Sequence, residues 1–238
     1  MAFNFIKKNT TVDIGVIDEN TPFAIREAYK ALFSNVLYLN IASKCKKIAV
    51  TSAVSGEAKT SVSANLAVTL AQNLEGKRVL LIDADMREPS IARMFSIKPG
   101  GHGLSEYLSG IDEDPKFDYI PKYKLMVLTA GGHSYNPTKL IGSEKMHRLI
   151  KACEKEFDYV IIDTPPVNIV ADAVLLNGIA DGYLISTRSE HSDIHGLNQC
   201  VSKLEQVGAE IFGIVLSGVK LKGYKGKYNK SNKYIDED

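Results

Sequence analysis

The stretch Lys47–Ser61, KIAVTSAVSGEAKTS, decides how this chain is read. KIAVTS is a short β-branched and apolar run bounded by a turn, as a strand covered on both faces reads. SAVSGEAKTS, from Ser52 to Ser61, is a glycine-containing turn that leads directly into a helix ending near residue 74. A strand, a tight turn and a helix N-terminus put backbone N–H groups and a cation where a phosphate can be held. Gly56 lets the turn close, the Lys59 ammonium can reach β- and γ-phosphates, and the Thr60 hydroxyl can ligate Mg²⁺. Ser55, Gly56, Glu57, Ala58, Lys59, Thr60 and Ser61 are therefore the candidate nucleotide-binding residues. The match to G-x-x-x-x-G-K-[ST] is incomplete, because Ala53 fills the first glycine position and Ala58 the one before the lysine.

Outward from this stretch, strands and helices alternate. RVLLID (78–83), LMVLTAG (125–131), DYVIID (158–163), GYLIST (182–187) and IFGIVLSGV (211–219) read as strands. Helices are expected after the KPGGHG loop (LSEYLSG), over 143–156, briefly over 172–180, and over 193–207. The fold class is α/β and P-loop NTPase-like, a mostly parallel sheet covered by helices on both faces. Ligands of such sheets bind beyond the carboxyl ends of the strands. Two strands end there in acid: LLIDADMR carries Asp83, Asp85 and Arg87, and VIIDTPP carries Asp163. Two carboxylates two residues apart repel unless a cation lies between them. A carboxylate placed like Asp163 can hold Mg²⁺ directly or through water. A lysine (Lys59), a hydroxyl (Thr60) and three carboxylates (Asp83, Asp85 and Asp163) at neighbouring strand ends are the parts for Mg²⁺–nucleotide binding and phosphoryl transfer.

The 238 residues are 45% hydrophobic and 24% charged, ordinary for a globular core. A net charge of +1 gives no reason to expect a nucleic-acid partner. No run approaches the ~20 apolar residues of a membrane span, and MAFNFIKKNT lacks a signal peptide's apolar run. A cytoplasmic protein is expected. Cys45, Cys153 and Cys200 form no C-x-x-C pair and read as reduced structural thiols. His191 and His195 could share a helical face, but lack a third ligand for a metal. Residues 1–21 read as a flexible arm. Residues 22–41 read as a helix capped by Thr21 with Pro22 at its first position, opening a domain over 22–219. Residues 220–238, KLKGYKGKYNKSNKYIDED, lose the apolar pattern and read as a disordered tail containing Tyr224, Tyr228 and Tyr234.

Taken together, the three boxes resemble the Walker A, A′ and B motifs of the bacterial tyrosine kinases (BY-kinases) of capsule and exopolysaccharide synthesis. HGLSEYLSG, LTAGGHSYNPTKLIGSEKM and FDYVIIDTPPVNIVADAVLL are similar to further segments of that family, so the resemblance covers residues 22–219. It implies a cytoplasmic ATP-dependent protein-tyrosine autokinase that regulates polysaccharide synthesis or export. Lys59 and Thr60 would bind phosphates and Mg²⁺, Asp83 would deprotonate the tyrosine, and Asp85 and Asp163 would attend the metal. Tyr224, Tyr228 and Tyr234 match the family's phosphoacceptor cluster, phosphorylated between subunits of a homo-oligomer. A transmembrane adaptor of the polysaccharide co-polymerase type is the implied partner, holding the chain at the inner face of the membrane.

The chain departs from the family at several points. Ser55 replaces a proline, Ala58 a glycine, and Ser217 the asparagine of the last strand. The oligomerisation motif E-x-x-R-x-x-R reads Glu27, Lys30, Phe33, which replaces bidentate arginine pairing with a point charge and an apolar ring. Two other functions are consistent with the boxes. One is a MinD/ParA-like switch ATPase, against which the absence of an early loop lysine counts, since Val54 stands in that region. The other is a degenerate nucleotide-binding scaffold.

Overall fold

The computed structural model describes residues 15–219 except 40, 43, 99, 100, 133 and 135. Residues 1–14 of the expected arm (1–21) and the tail with its three tyrosines lie outside the described residues, and in the remainder of the arm Ile17 is buried with its N–H bonded to Asn65 Oδ1 at 2.7 Å.

Among the described residues seven strands form one sheet: β1 Lys46–Ser52, β2 Val79–Asp83, β3 Asp118–Ile120, β4 Leu125–Leu128, β5 Tyr159–Asp163, β6 Gly182–Arg188 and β7 Ile211–Ser217. Their order is β3-β4-β2-β5-β1-β6-β7, and every pairing is parallel except β3 with β4. Because β1 sits between β5 and β6, the carboxyl ends of β2, β5 and β1 lie side by side, with Asp83 abreast of Asp163 and Asp163 abreast of Val50. The fold thus places the three sequence boxes at one edge of one sheet.

Alternate residues of the central strands enter two separate cores, as the strand pleat requires. Val79, Leu81, Ile48, Val50 and Ile161 pack under α2 (Lys59–Asn73), itself covered by α1 (Phe23–Leu37). Leu80, Ile82, Val160 and Ile162 pack under α4 (Leu104–Ser109) and α6 (Glu144–Glu156). The short helices α3 (Ile91–Met94) and α5 (Pro137–Ile141) and the longer α7 (Ile194–Gln206) complete the cover. Helix α2 is buried along its length: every residue from Val62 to Ala71 is inside.

Several expectations are corrected in detail. The first helix runs over Phe23–Leu37, shorter than 22–41, and Pro22 rather than Thr21 stands at its cap. The Thr21 hydroxyl instead turns back to Asp18. At the other end the Lys46 ammonium takes the Leu37 and Leu39 carbonyls, which gives the chain partners outside the helix. Over 172–180 only a 3₁₀ turn forms, Val174–Leu176. The last strand is not covered on both faces: Ile214 is 51% and Leu216 59% exposed at the sheet edge. The three cysteines are buried and form no disulfide among the described residues, and burial raises the pKa of Cys153 and of Cys200 to about 12. Among the described residues no helix is long and apolar enough to cross a membrane.

Candidate active site

The loop between β1 and α2 closes by two residues in the left-handed region, Gly56 (φ 84°) and Ala58 (φ 64°). An alanine there costs about 1–2 kcal/mol. The Ala58 carbonyl accepts the Val62 N–H at 2.9 Å, so the left-handed residue opens α2 directly. The Glu57 side chain points away from the helix axis into the protein and is 2% exposed. Any phosphate contact from this position therefore comes from the backbone.

Lys59 extends from the first turn of α2 into the carboxylates at the neighbouring strand ends. Its Nζ meets Asp85 Oδ2 at 2.6 Å, with both side chains almost fully buried. Asp85 Oδ1 accepts the Arg87 and Glu88 N–H groups, which fixes the turn after β2. Asp83 accepts three backbone N–H groups, from Asp85, Ser90 and Ile91, and so ties that turn to the start of α3. Asp163 Oδ1 accepts the Ser63 hydroxyl at 2.9 Å. Asp163 Oδ2 is buried with no hydrogen-bond partner among the described residues.

One ammonium among three buried carboxylates leaves the cluster short of positive charge. Burial and then the Asp163 charge push the Asp83 pKa up to about 8, against the bond from the Ile91 amide. Burial likewise raises Asp163, with Lys59 opposing. For Lys59, burial alone would lower the pKa, but the Asp163 and Asp85 charges outweigh it and hold the ammonium above its usual value. Among the described residues no three acidic, His or Cys groups converge as a ready-made metal cage. That suits Mg²⁺, which is held by one or two carboxylates with substrate phosphates and water supplying the rest. The unpartnered Asp163 oxygen, a hard ligand in an electron-rich cluster beside Thr60, fits such an ion.

A cleft of about 680 Å³ is lined by Ser55, Gly56, Lys59 and Thr60 of the loop and by Arg93 and Arg188, with the three carboxylates beneath it rather than on its wall. Its size is that of a small-molecule site. Ser217, at the family's asparagine position, gives its hydroxyl to the Thr187 carbonyl at 3.1 Å. Lys30 pairs with Glu27 on its own helix at 2.8 Å, and Phe33 packs against the protein's own core.

The structure brings together Lys59, Thr60, Asp83, Asp85 and Asp163 as read from the sequence. It also shows residues that reading missed. Ser63 sits four residues after Lys59 on the inward face of α2, a spacing that could have flagged it. Arg87 Nε donates to Asp172 Oδ2 at 2.8 Å and its NH2 to Thr138 at 2.8 Å, joining the loops after β2 and β5 to α5. Asp172 lies 85 residues from Arg87 in the chain, and no local pattern marks it. His191 precedes α7 and so shares no helical face with His195, and its Nε2 lies 3.1 Å from the Ser55 carbonyl.

A phosphate loop with its lysine set among strand-end carboxylates defines a P-loop nucleotide-binding protein. In agreement, the family model described as ParA, NUBPL iron-transfer P-loop NTPase, matches residues 44–227. What is shared is the P-loop core, and the iron transfer in that description is that family's own. Nearer relatives narrow the class. The chain is 31% identical to a putative tyrosine-protein kinase CapB of Staphylococcus aureus, covering 89% of this chain and 92% of that one. It is 30% identical to the tyrosine-protein kinase YwqD of Bacillus subtilis, covering 89% of each. The kinase domain of the Escherichia coli tyrosine kinase ETK superposes with a TM-score of 0.78 at 32% identity, over 83% of this chain and 76% of that one. The chain belongs to the bacterial protein-tyrosine kinases.

Proposed function

We propose that this kinase transfers the γ-phosphoryl group of Mg²⁺-bound ATP to tyrosines of its own C-terminal segment, Tyr224, Tyr228 and Tyr234, between neighbouring subunits. The observation that carries the reading is the buried Lys59–Asp85 pair at 2.6 Å beside the unpartnered oxygen of Asp163. The loop amides from Ser55 to Ser61 cradle the phosphates and Lys59 reaches the transferring group. Mg²⁺, when bound, neutralises charge on the phosphate oxygens, and Thr60, Asp85 and Asp163 would hold it. Asp83, with a pKa of about 8, has its conjugate pair near neutral pH, where a general base is most effective. It takes the tyrosine proton as the phenolic oxygen bonds to the γ-phosphorus and the bond to the ADP oxygen breaks. Little covalent work falls to the protein beyond positioning and charge neutralisation.

In this reading the kinase acts in capsule or exopolysaccharide synthesis, and a transmembrane adaptor of the polysaccharide co-polymerase type brings it to the inner face of the membrane. Chain assembly would use contacts other than an apolar one at Phe33, whose ring packs inward. The test is phosphosite mass spectrometry of the full chain with Mg²⁺ and ATP, beside Lys59→Met, with and without an adaptor's cytoplasmic segment. Phosphate on the three tyrosines in the native protein alone is the expected result. ATP turnover with no phosphotyrosine under either condition would replace it with a switch ATPase.

A further inference from the structure

The phosphate loop is held from outside as well as from its two ends. The segment that leaves β6 and enters α7 reaches three consecutive loop residues. Ser186 Oγ donates to the Glu57 carbonyl at 2.5 Å, Arg188 NH1 donates to the Gly56 carbonyl at 3.3 Å, and His191 Nε2 lies 3.1 Å from the Ser55 carbonyl. The Glu57 carboxylate accepts the Val54 N–H at 2.9 Å with one oxygen and the Ser192 hydroxyl with the other. Ser192 Oγ in turn accepts the Arg188 N–H at 2.8 Å, so its single proton goes to Glu57. The turn that presents these groups passes through Glu190 at φ 62°.

These contacts fall on the part of the loop that is least able to hold its own shape. Ala58 sits in a left-handed conformation that alanine disfavours, and Ser55 lacks the fixed φ of a proline. A phosphate loop binds through amides already aimed at the anion, and its affinity falls if they must first be ordered. Carbonyls of residues 55, 56 and 57 turned outward to partners leave the amides of the same peptide planes turned inward, because N–H and C=O point opposite ways across a trans peptide.

We propose that Glu57 and Ser192, with Arg188 and His191 around them, are positioning residues that brace the phosphate loop, and that this chain depends on the brace because Ala58 replaces a glycine. None of the four needs to touch the nucleotide to act. The brace also makes phosphate affinity sensitive to the β6–α7 turn, since Ser192 directly precedes Asp193, the N-cap of α7.

The inference rests on the reading of the loop as a nucleotide site, and the two can fail separately. The experiment is a double-mutant cycle on the full chain with Mg²⁺·ADP as the probe, reading Kd by calorimetry and Tm without nucleotide. Ser192→Ala is expected to weaken ADP binding by about 5–10-fold, the size of one ordinary intramolecular hydrogen bond. In an Ala58→Gly background, where the loop needs less support, the same change is expected to cost no more than about twofold, a coupling of the kind such cycles detect. Ser192→Thr, which keeps the hydroxyl, restores affinity. Glu57→Gln, close in shape, serves as the second variant if Ser192→Ala folds poorly, and shows the same dependence on residue 58. Equal losses in both backgrounds, or a lowered Tm with unchanged Kd, would overturn the brace. A native chain that binds no ADP would instead remove the nucleotide reading, and the brace with it.

Discussion

Two buried lysines stand at opposite ends of the same strand, and they differ in their surroundings. Lys47, at the start of β1, pairs with Glu154 at 2.5 Å and with Asp181 at 3.1 Å, and its own N–H donates to Asp181. Glu154 is 39% and Asp181 19% exposed, so water shares the excess of two carboxylates over one ammonium. Lys59, just beyond the end of β1, faces Asp83, Asp85 and Asp163, all essentially inaccessible, with one carboxylate oxygen left without a partner. Burial of a lysine is common to both. An excess of carboxylates is also common to both, but at the second it is closed off from water, and it marks the end of the sheet that awaits a cation and a phosphate. A buried ion pair that is satisfied holds a fold together, whereas one in electrostatic deficit is a place for a ligand.

That contrast can be broken in several ways. The largest effect is expected for Lys59→Met, a fall of about 10²–10³-fold in tyrosine phosphorylation, the usual loss when a group that stabilises transition-state charge is removed. Lys47→Met should leave the rate nearly unchanged and destabilise the fold, since Glu154 and Asp181 lose the ammonium between them while Asp181 keeps the N–H of residue 47. A cost of about 2 kcal/mol corresponds to a fall in Tm of roughly 4–8 °C for a chain of this size. Scanning calorimetry of both variants beside kinase assays checks the exchange, and a Lys47 variant that loses activity while keeping its Tm would end the distinction. A smaller effect is expected at Asp163. Asp163→Asn should remove the tightening of ADP binding that Mg²⁺ gives the native chain, about tenfold or 1.4 kcal/mol, while ADP without metal binds as before or more tightly.

The smallest effect is a slope. Native Asp83 keeps its proton up to about pH 8, whereas the unfolded chain releases it above the ordinary carboxyl value of 3.8. Over that window the native state binds the extra proton, so this group's contribution is full below about pH 4 and is lost progressively as pH rises toward 8. Asp83→Asn should flatten the fall of Tm between these limits by a few degrees. An unchanged profile would place Asp83 in an ordinary carboxylate environment, like the satisfied end of the strand.

The residues that could be read from sequence are those whose partners are near in the chain or whose role is fixed by an element's end. The continuous apolar runs located every strand buried on both faces. Lys59, Asp83, Asp85 and Asp163 were legible because each follows such a run at a carboxyl end. The half-buried three-residue strand β3 gave no such run, and 172–180 carried helical apolar spacing without the length or cap to sustain an α-helix. The contacts that complete both lysine sites were not legible. Lys47 and Asp181 are 134 residues apart, and Glu57 and Ser192 are 135 apart. They meet only because β6 is laid next to β1, a fact of sheet order that no local spacing contains. Ala58 could be read as a departure, but its left-handed conformation and its external support could not.

The enclosure of α2 on every side has a kinetic consequence. Amides from Val62 to Ala71 can meet solvent deuterium only when the core between the sheet and α1 opens, so they should be among the last to exchange, at a rate set by global opening. A helix that cannot breathe alone is also one that cannot bend to receive a substrate. Adjustment during the catalytic cycle is left to the turns after β2, β5 and β6, and the helix that begins at Lys59 serves as the stationary datum against which they move.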